Sequence, residues 1–175
     1  MPIYAFGDNV PDISPAAYVH PDAVVIGNVQ VGARSFIAPC AVLRGDFAPI
    51  RIFEGSSIQD HVIIHVNPKT EVIIENDVVV GHGVIMHDTH IKSRCVIGMG
   101  SVILFDTVCE EDVYIAAGSV VARGTRIPAG KLAAGNPAIV VRDVTARQLE
   151  AAKAGALAYQ WLCSQYPKNM RRLTT

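Results

Sequence analysis

An aliphatic residue recurs at every sixth position along most of this chain, and that period constrains the fold more than any other feature. It starts at Val19 and runs through Val25, Val31, Ile37 and Leu43, then Ile52, Ile58 and Ile64, then Ile74, Val80 and Met86. It continues through Ile91, Ile97, Ile103, Cys109, Ile115, Val121 and Ile127, eighteen positions in all. Four places after most of these stands a small or β-branched residue, as at Ala23, Ser35, Ala41, Ser56, Cys95, Ser101 and Ser119. Six fits neither the 3.6 of a helix nor the alternation of a long strand, so each hexad predicts a short strand plus a corner. Three hexads close a triangular coil, and the coils stack as parallel strands about 4.8 Å apart. The aliphatic residue then points into the prism and the small residue fits the corner. Glycine, as in Val31-Gly32, Val80-Gly81 and Ile97-Gly98, supplies backbone freedom where a side chain would clash.

Twenty-three Val and eighteen Ile against seven Leu agree with this all-β reading, because β-branched side chains favour pleated strands. The phase breaks where residues are inserted, at 43–52 and 64–74, and where one is lost, at 86–91. Those breaks predict loops leaving a corner. After Gly135-Asn136-Pro137 the pattern changes, and Thr145-x-x-Gln148 has the form of a capping box opening a helix. The stripe Leu149, Ala152, Ala156, Tyr159, Cys163 and Tyr166 gives that helix one face to lay along the prism. A free tail would instead leave Tyr159 and Trp161 in water. The expected organisation is a parallel β-helix over 1–142 and a packed C-terminal helix over 143–175.

Fifteen Lys plus Arg against sixteen Asp plus Glu leave a formal charge of −1, without the cationic excess that binding a phosphate backbone needs. Nucleic acid is therefore not an expected partner. Cys40, Cys95, Cys109 and Cys163 stand far apart with no C-x-x-C pair and no leader segment before them, which points to a reducing cytoplasm. No run of about eighteen apolar residues suggests a membrane span.

The period also sorts the histidines. Leu43, Ile64 and Met86 are three hexads apart, so they share a wall in successive coils and the residues after them stack: Arg44, His65, His87. Ile58 and Val80 share another wall, which sets Asp60 beneath His82 with Gln59 alongside. Two histidines one coil apart can converge on one metal at about 2.0–2.1 Å. His82, on a different wall, reaches such a metal only from a neighbouring prism, so the three-histidine reading predicts a homotrimer with metal sites between subunits. His20, His61 and His90 lack this registration and read as surface or corner residues.

Leu43-Arg44-Gly45-Asp46, Ile58-Gln59-Asp60, Ile64-His65, Gly81-His82 and Met86-His87 together resemble the γ-class carbonic anhydrase family over nearly the whole chain. The resemblance implies a left-handed β-helix, an exception to the right-handed crossover rule, and a trimer with metal at its interfaces. It implies His65, His82 and His87 as ligands, with Arg44, Asp46, Gln59 and Asp60 as the polar shell. Gly135-Asn136-Pro137-Ala138, Gln148-Leu149 and Tyr159-Gln160 are more similar to the carnitine-operon and phenylacetate-operon branch, linked to CoA-thioester metabolism, and Tyr159 would reach the metal pocket. Phe47 stands where the archaeal prototype has an acid, Ser57 where it has asparagine, and 66–70 lacks its long acidic loop, which implies a missing or different proton shuttle.

Zinc on three neutral imidazoles lowers the pKa of its water to about 7, and the resulting hydroxide would attack CO2 to give bicarbonate, with Gln59 orienting it. Iron(II), cobalt or nickel would suit the same ligands. Three alternatives stay open: an acyl-CoA thioesterase using the same hydroxide, a metal-stabilised scaffold without turnover, and a hexapeptide acyltransferase with one histidine as general base. Arg44, Asp46 and Asp60 could equally form interface ion pairs.

Overall fold

A computed structural model describes residues 2–173; residue 1 and residues 174–175, at the outer ends of the two expected units, lie outside it. The chain winds into a left-handed parallel β-solenoid of about seven coils, followed by a helix. Each coil contributes one short strand to each of three walls. The first wall stacks Tyr18–Val19, Phe36–Ile37, Ser57–Ile58, Val79–Val80, Val96–Ile97 and Tyr114–Ile115, all paired in parallel. The second places Val25, Leu43, Ile64, Met86, Ile103 and Val121 in register. The third does the same for Val31, Ile52, Ile74, Ile91, Cys109 and Ile127. These are the positions of the six-residue period, and nearly all are fully buried along the prism axis.

Corner chemistry differs from the sequence expectation in one respect. At Gly32, Gly81 and Gly98 the constraint is close approach: a Cβ at Gly98 would sit 2.5 Å from the Ala117 backbone nitrogen and one at Gly81 2.8 Å from that of Met99. Left-handed backbone is supplied at other corner positions, by glycines such as Gly83, Gly100, Gly118 and Gly124 and by polar residues such as Asp77, Asp88, Arg94, Asp106 and Asp112, the polar ones with φ between 51° and 63°.

The expected loop at 43–52 is instead continuous strand, Val42–Ile52, which turns a corner while paired to Val24–Val31. Its extra residues are absorbed by a shift of register between Gly27 and Val29, a bulge that throws Asp46 and Phe47 outward without ending the ladder. At 64–74 the excursion does leave the prism, through a turn in which the Thr70 N–H donates to the Asn67 carbonyl.

The last coil is closed by an antiparallel strand, Ala138–Asp143, on Lys131–Gly135. The helix Ala146–Asn169 then starts on a full capping box between Thr145 and Gln148. Tyr159, Leu162, Cys163 and Tyr166 pack on Tyr18, Phe36 and Ala38 of the first wall, with the Tyr166 ring 5.1 Å from both Tyr18 and Phe36. Two residues of the helix depart from the expectation. Leu149 is exposed, and the start of the helix borders a cleft of about 400 Å³ lined by Leu149, Ala152, Ala156 and Arg94. Trp161 is 61% exposed, so packing the helix does not take it out of water as expected. No described helix is long and apolar enough to cross a membrane.

Candidate metal centre

Parallel pairing sets Arg44, His65 and His87 directly above one another on the outer face of the second wall. Because the strands run in register, the rings of His65 and His87 meet edge to face, with centroids 4.8 Å apart. His65 Nδ1 lies 3.0 Å from His87 Nε2.

The remaining ring nitrogens are both held by carboxylates. His65 Nε2 is 2.9 Å from Asp46 Oδ1, and His87 Nδ1 is 2.9 Å from Asp88 Oδ2. An ionised carboxylate only accepts, so each of these nitrogens carries the proton. With both rings neutral, the two nitrogens that face each other are then both lone pairs, a repulsive arrangement that either a proton shared between them or a metal ion relieves. Two nitrogens on one tetrahedral zinc at about 2.0–2.1 Å stand about 3.3 Å apart, within a few tenths of an ångström of the spacing seen. The donor set therefore fits a divalent ion, and its carboxylate–histidine pairs are the usual outer partners of such a site.

Both carboxylates are built to stay ionised. Burial pushes Asp46 up, but hydrogen bonds from Arg44, at 2.7 Å, and from His65 outweigh it and hold the group below its ordinary 3.8. Burial likewise raises Asp88, and hydrogen bonds from Thr70, Asn67 and His87 bring it below 3.8. Phe47 and Phe105 flank the pair, their rings 5.6 Å from His65 and 4.6 Å from His87. Arg123 lies over Phe105 at 5.9 Å.

His82 stands not on another wall but in the turn that joins the first-wall strand Val79–Val80 to the second-wall strand Ile85–His87, at the edge of the second wall opposite His87. Its Nδ1 is 2.8 Å from Asp60 Oδ2, as the register of Ile58 and Val80 requires, and the ring is largely exposed. Gln59 is buried beside them. Tyr159 belongs to this half: its ring packs on Phe36 at 5.5 Å, and its hydroxyl is raised by burial, then by the nearby Asp60 charge and by Tyr166. Within one chain it accompanies Asp60 and His82, while Arg44 and Asp46 accompany His65 and His87. Among the described residues of one chain, no three His, Cys, Asp or Glu side chains converge as a metal site.

Sequence reasoning missed Asp88, Asn67, Thr70 and Phe105. The signal for Asp88 was present, since it follows His87 at the point where the repeat loses a residue. His90 Nε2 donates to Glu75 Oε1 at 2.8 Å on the third wall, and His20 Nδ1 accepts from the Asp22 N–H at 3.1 Å.

No family model matches the chain. The carnitine operon protein CaiE of Escherichia coli K12 is 39% identical over 160 residues, covering 91% of this chain and 82% of that protein. Among solved structures, a Bacillus cereus chain described as a candidate acetyltransferase superposes with a TM-score of 0.94 at 36% identity, covering 96% of this chain and 98% of its own. A hexapeptide transferase family protein from Anaplasma phagocytophilum gives 0.90 at 31% identity, covering 94% and 97%.

Proposed function

This chain belongs to the CaiE family of hexapeptide-repeat proteins, and from the geometry of its histidines we propose that it is a trimeric metalloenzyme of the γ carbonic anhydrase type. The carrying observation is the facing pair of acceptor nitrogens on His65 and His87, whose tautomers Asp46 and Asp88 dictate. These two histidines and His82 of a neighbouring copy would hold the ion. A zinc there would supply Lewis acidity that lowers its water's pKa to about 7, and iron(II), cobalt or nickel would suit the same ligands.

Assembly is supported by the second wall itself. It has His82 on one edge, His65 and His87 on the other, and between them an outward ladder of Val24, Val42, Ile63, Ile85, Val102 and Val120. Ile63 and Ile85 are 44% and 45% exposed in the single chain, an apolar strip that a second copy would cover. Three such walls around a threefold axis bring each His82 edge against the next copy's histidine pair. Arg44 and Asp46 then meet Gln59, Asp60 and Tyr159 across the interface.

The reaction we assign is hydration of CO2 to bicarbonate in the cytoplasm. Gln59 offers a hydrogen bond to orient substrate, while Asp46 and Asp88 keep the ligand tautomers. A second reading, hydrolysis of an acyl-CoA thioester, is favoured by Phe47 and Phe105, which make the flanks of the pair apolar. The Bacillus cereus neighbour raises acyl transfer as another reading. That chemistry needs one histidine as base and leaves the facing pair without a purpose.

Elemental analysis of anaerobically purified protein, with mass measured in solution, tests the proposal. About one divalent ion per chain in a trimer is expected, and His82→Ala should lose the ion although His65 and His87 remain. A metal-free trimer, or normal metal content in His82→Ala, would sink it. Stopped-flow CO2 hydration and thiol release from acyl-CoA then separate the two enzymes, and silence in both with metal bound points to a scaffold.

A further inference from the structure

The repeat gives His87 its position on the wall but nothing to fix the face its ring presents. That is done by one buried carboxylate. The Asp88 side chain is 3% exposed and takes four hydrogen bonds. Oδ1 accepts from the Asn67 N–H at 2.7 Å and the Thr70 hydroxyl at 2.5 Å; Oδ2 accepts from Asn67 Nδ2 at 2.8 Å and His87 Nδ1 at 2.9 Å. Three of the four donors come from the excursion inserted between Ile64 and Ile74, and the fourth is the histidine itself. Asp88 reaches them from a left-handed corner, φ 51°, where Asp and Asn are among the side chains that fit.

We infer that Asp88, gripped by the Asn67–Thr70 turn, is a positioning residue that locks His87 in the Nδ1-protonated form, so that Nε2 is free to bind a cation. The inserted turn is thus a mount for the site. His65 has a softer mount, because Asp46 is held by Arg44, whose side chain is 43% exposed. The inference rests on the metal reading for its purpose, but its physical content, one tautomer imposed by one carboxylate, can be measured without metal.

Long-range proton–nitrogen NMR on metal-free protein, at a pH where the imidazoles are neutral, reads which nitrogen of His87 carries the proton. Wild type should show Nδ1–H. Asp88→Asn turns an amide toward the ring and should switch it to Nε2–H, and zinc affinity by chelator competition should fall about 10–100-fold. Thr70→Val removes one donor and should weaken zinc several-fold, while Thr70→Ser should restore it. An Asp88→Asn protein with His87 still protonated at Nδ1, or with zinc affinity unchanged, overturns the inference. Should Asp88→Asn not fold, equal zinc affinity in Thr70→Val and wild type overturns it. Wild type that takes up no zinc at all defeats the metal reading instead, and the NMR result still decides the tautomer.

Discussion

The coils built on residues 91–127 and those built on 43–91 use the same six-residue period, yet they do different work. In the first set every inward position comes six after the last, the strands pair without a shift, and the interior is a column of Ile97, Ile103, Cys109, Ile115, Val121 and Ile127. In the second the period slips three times, and each slip delivers a group to the histidine pair. Extra residues in Val42–Ile52 bring Asp46 and Phe47, the excursion before Ile74 brings Asn67 and Thr70, and the shortened corner after Met86 brings Asp88. A regular solenoid places one chemical environment over the same one in every coil, so convergence of unlike groups needs a break in the repeat.

That division is most sharply tested by Ile103→Ala in a regular coil. Removing a fully buried side chain should cost about 2–5 kcal/mol in denaturant unfolding while leaving zinc affinity of the folded protein unchanged. Equal loss of affinity would mean that the two regions are not separable. Phe47→Glu in an interrupted coil should do the reverse. The ring is 57% exposed, so stability should move by only about 0.5 kcal/mol, whereas CO2 hydration should rise several-fold because a proton-carrying group now borders His65. Unchanged turnover would count against a missing proton shuttle.

A smaller effect joins the two regions. Glu75 is raised by burial, but hydrogen bonds from His90 and Ser93 outweigh that and hold it below its ordinary 4.5. A depressed carboxyl contributes stability above 4.5 and loses it as pH falls through the lower folded value. Wild type should therefore lose stability below pH 4.5 more steeply than Glu75→Gln, read as melting temperature against pH; parallel curves would show that the pairing contributes nothing. Least perturbing is thiol labelling. Burial pushes Cys109 up to about 12 and raises Cys95 well above its usual value, while Cys40 lies exposed at a corner. At neutral pH Cys40 should react with a disulfide reagent and the other two only after unfolding. Rapid labelling of Cys95 would mean that the regular coils open locally.

The amino-acid sequence alone determined which wall each residue occupies. The stacking of Arg44, His65 and His87, the pairing of Asp60 with His82, and the capping box at Thr145 all follow from counting, because a fixed period makes registration a local property. What counting could not reach is whatever depends on the course of the breaks. The tertiary structure decided that 43–52 stays paired as strand, that Trp161 faces solvent while Tyr166 is packed, and that Asp88 rather than a distant acid holds His87. An inserted residue has no phase to inherit, so its direction is settled by the hydrogen bonds and packing it finds among coils that are remote in sequence.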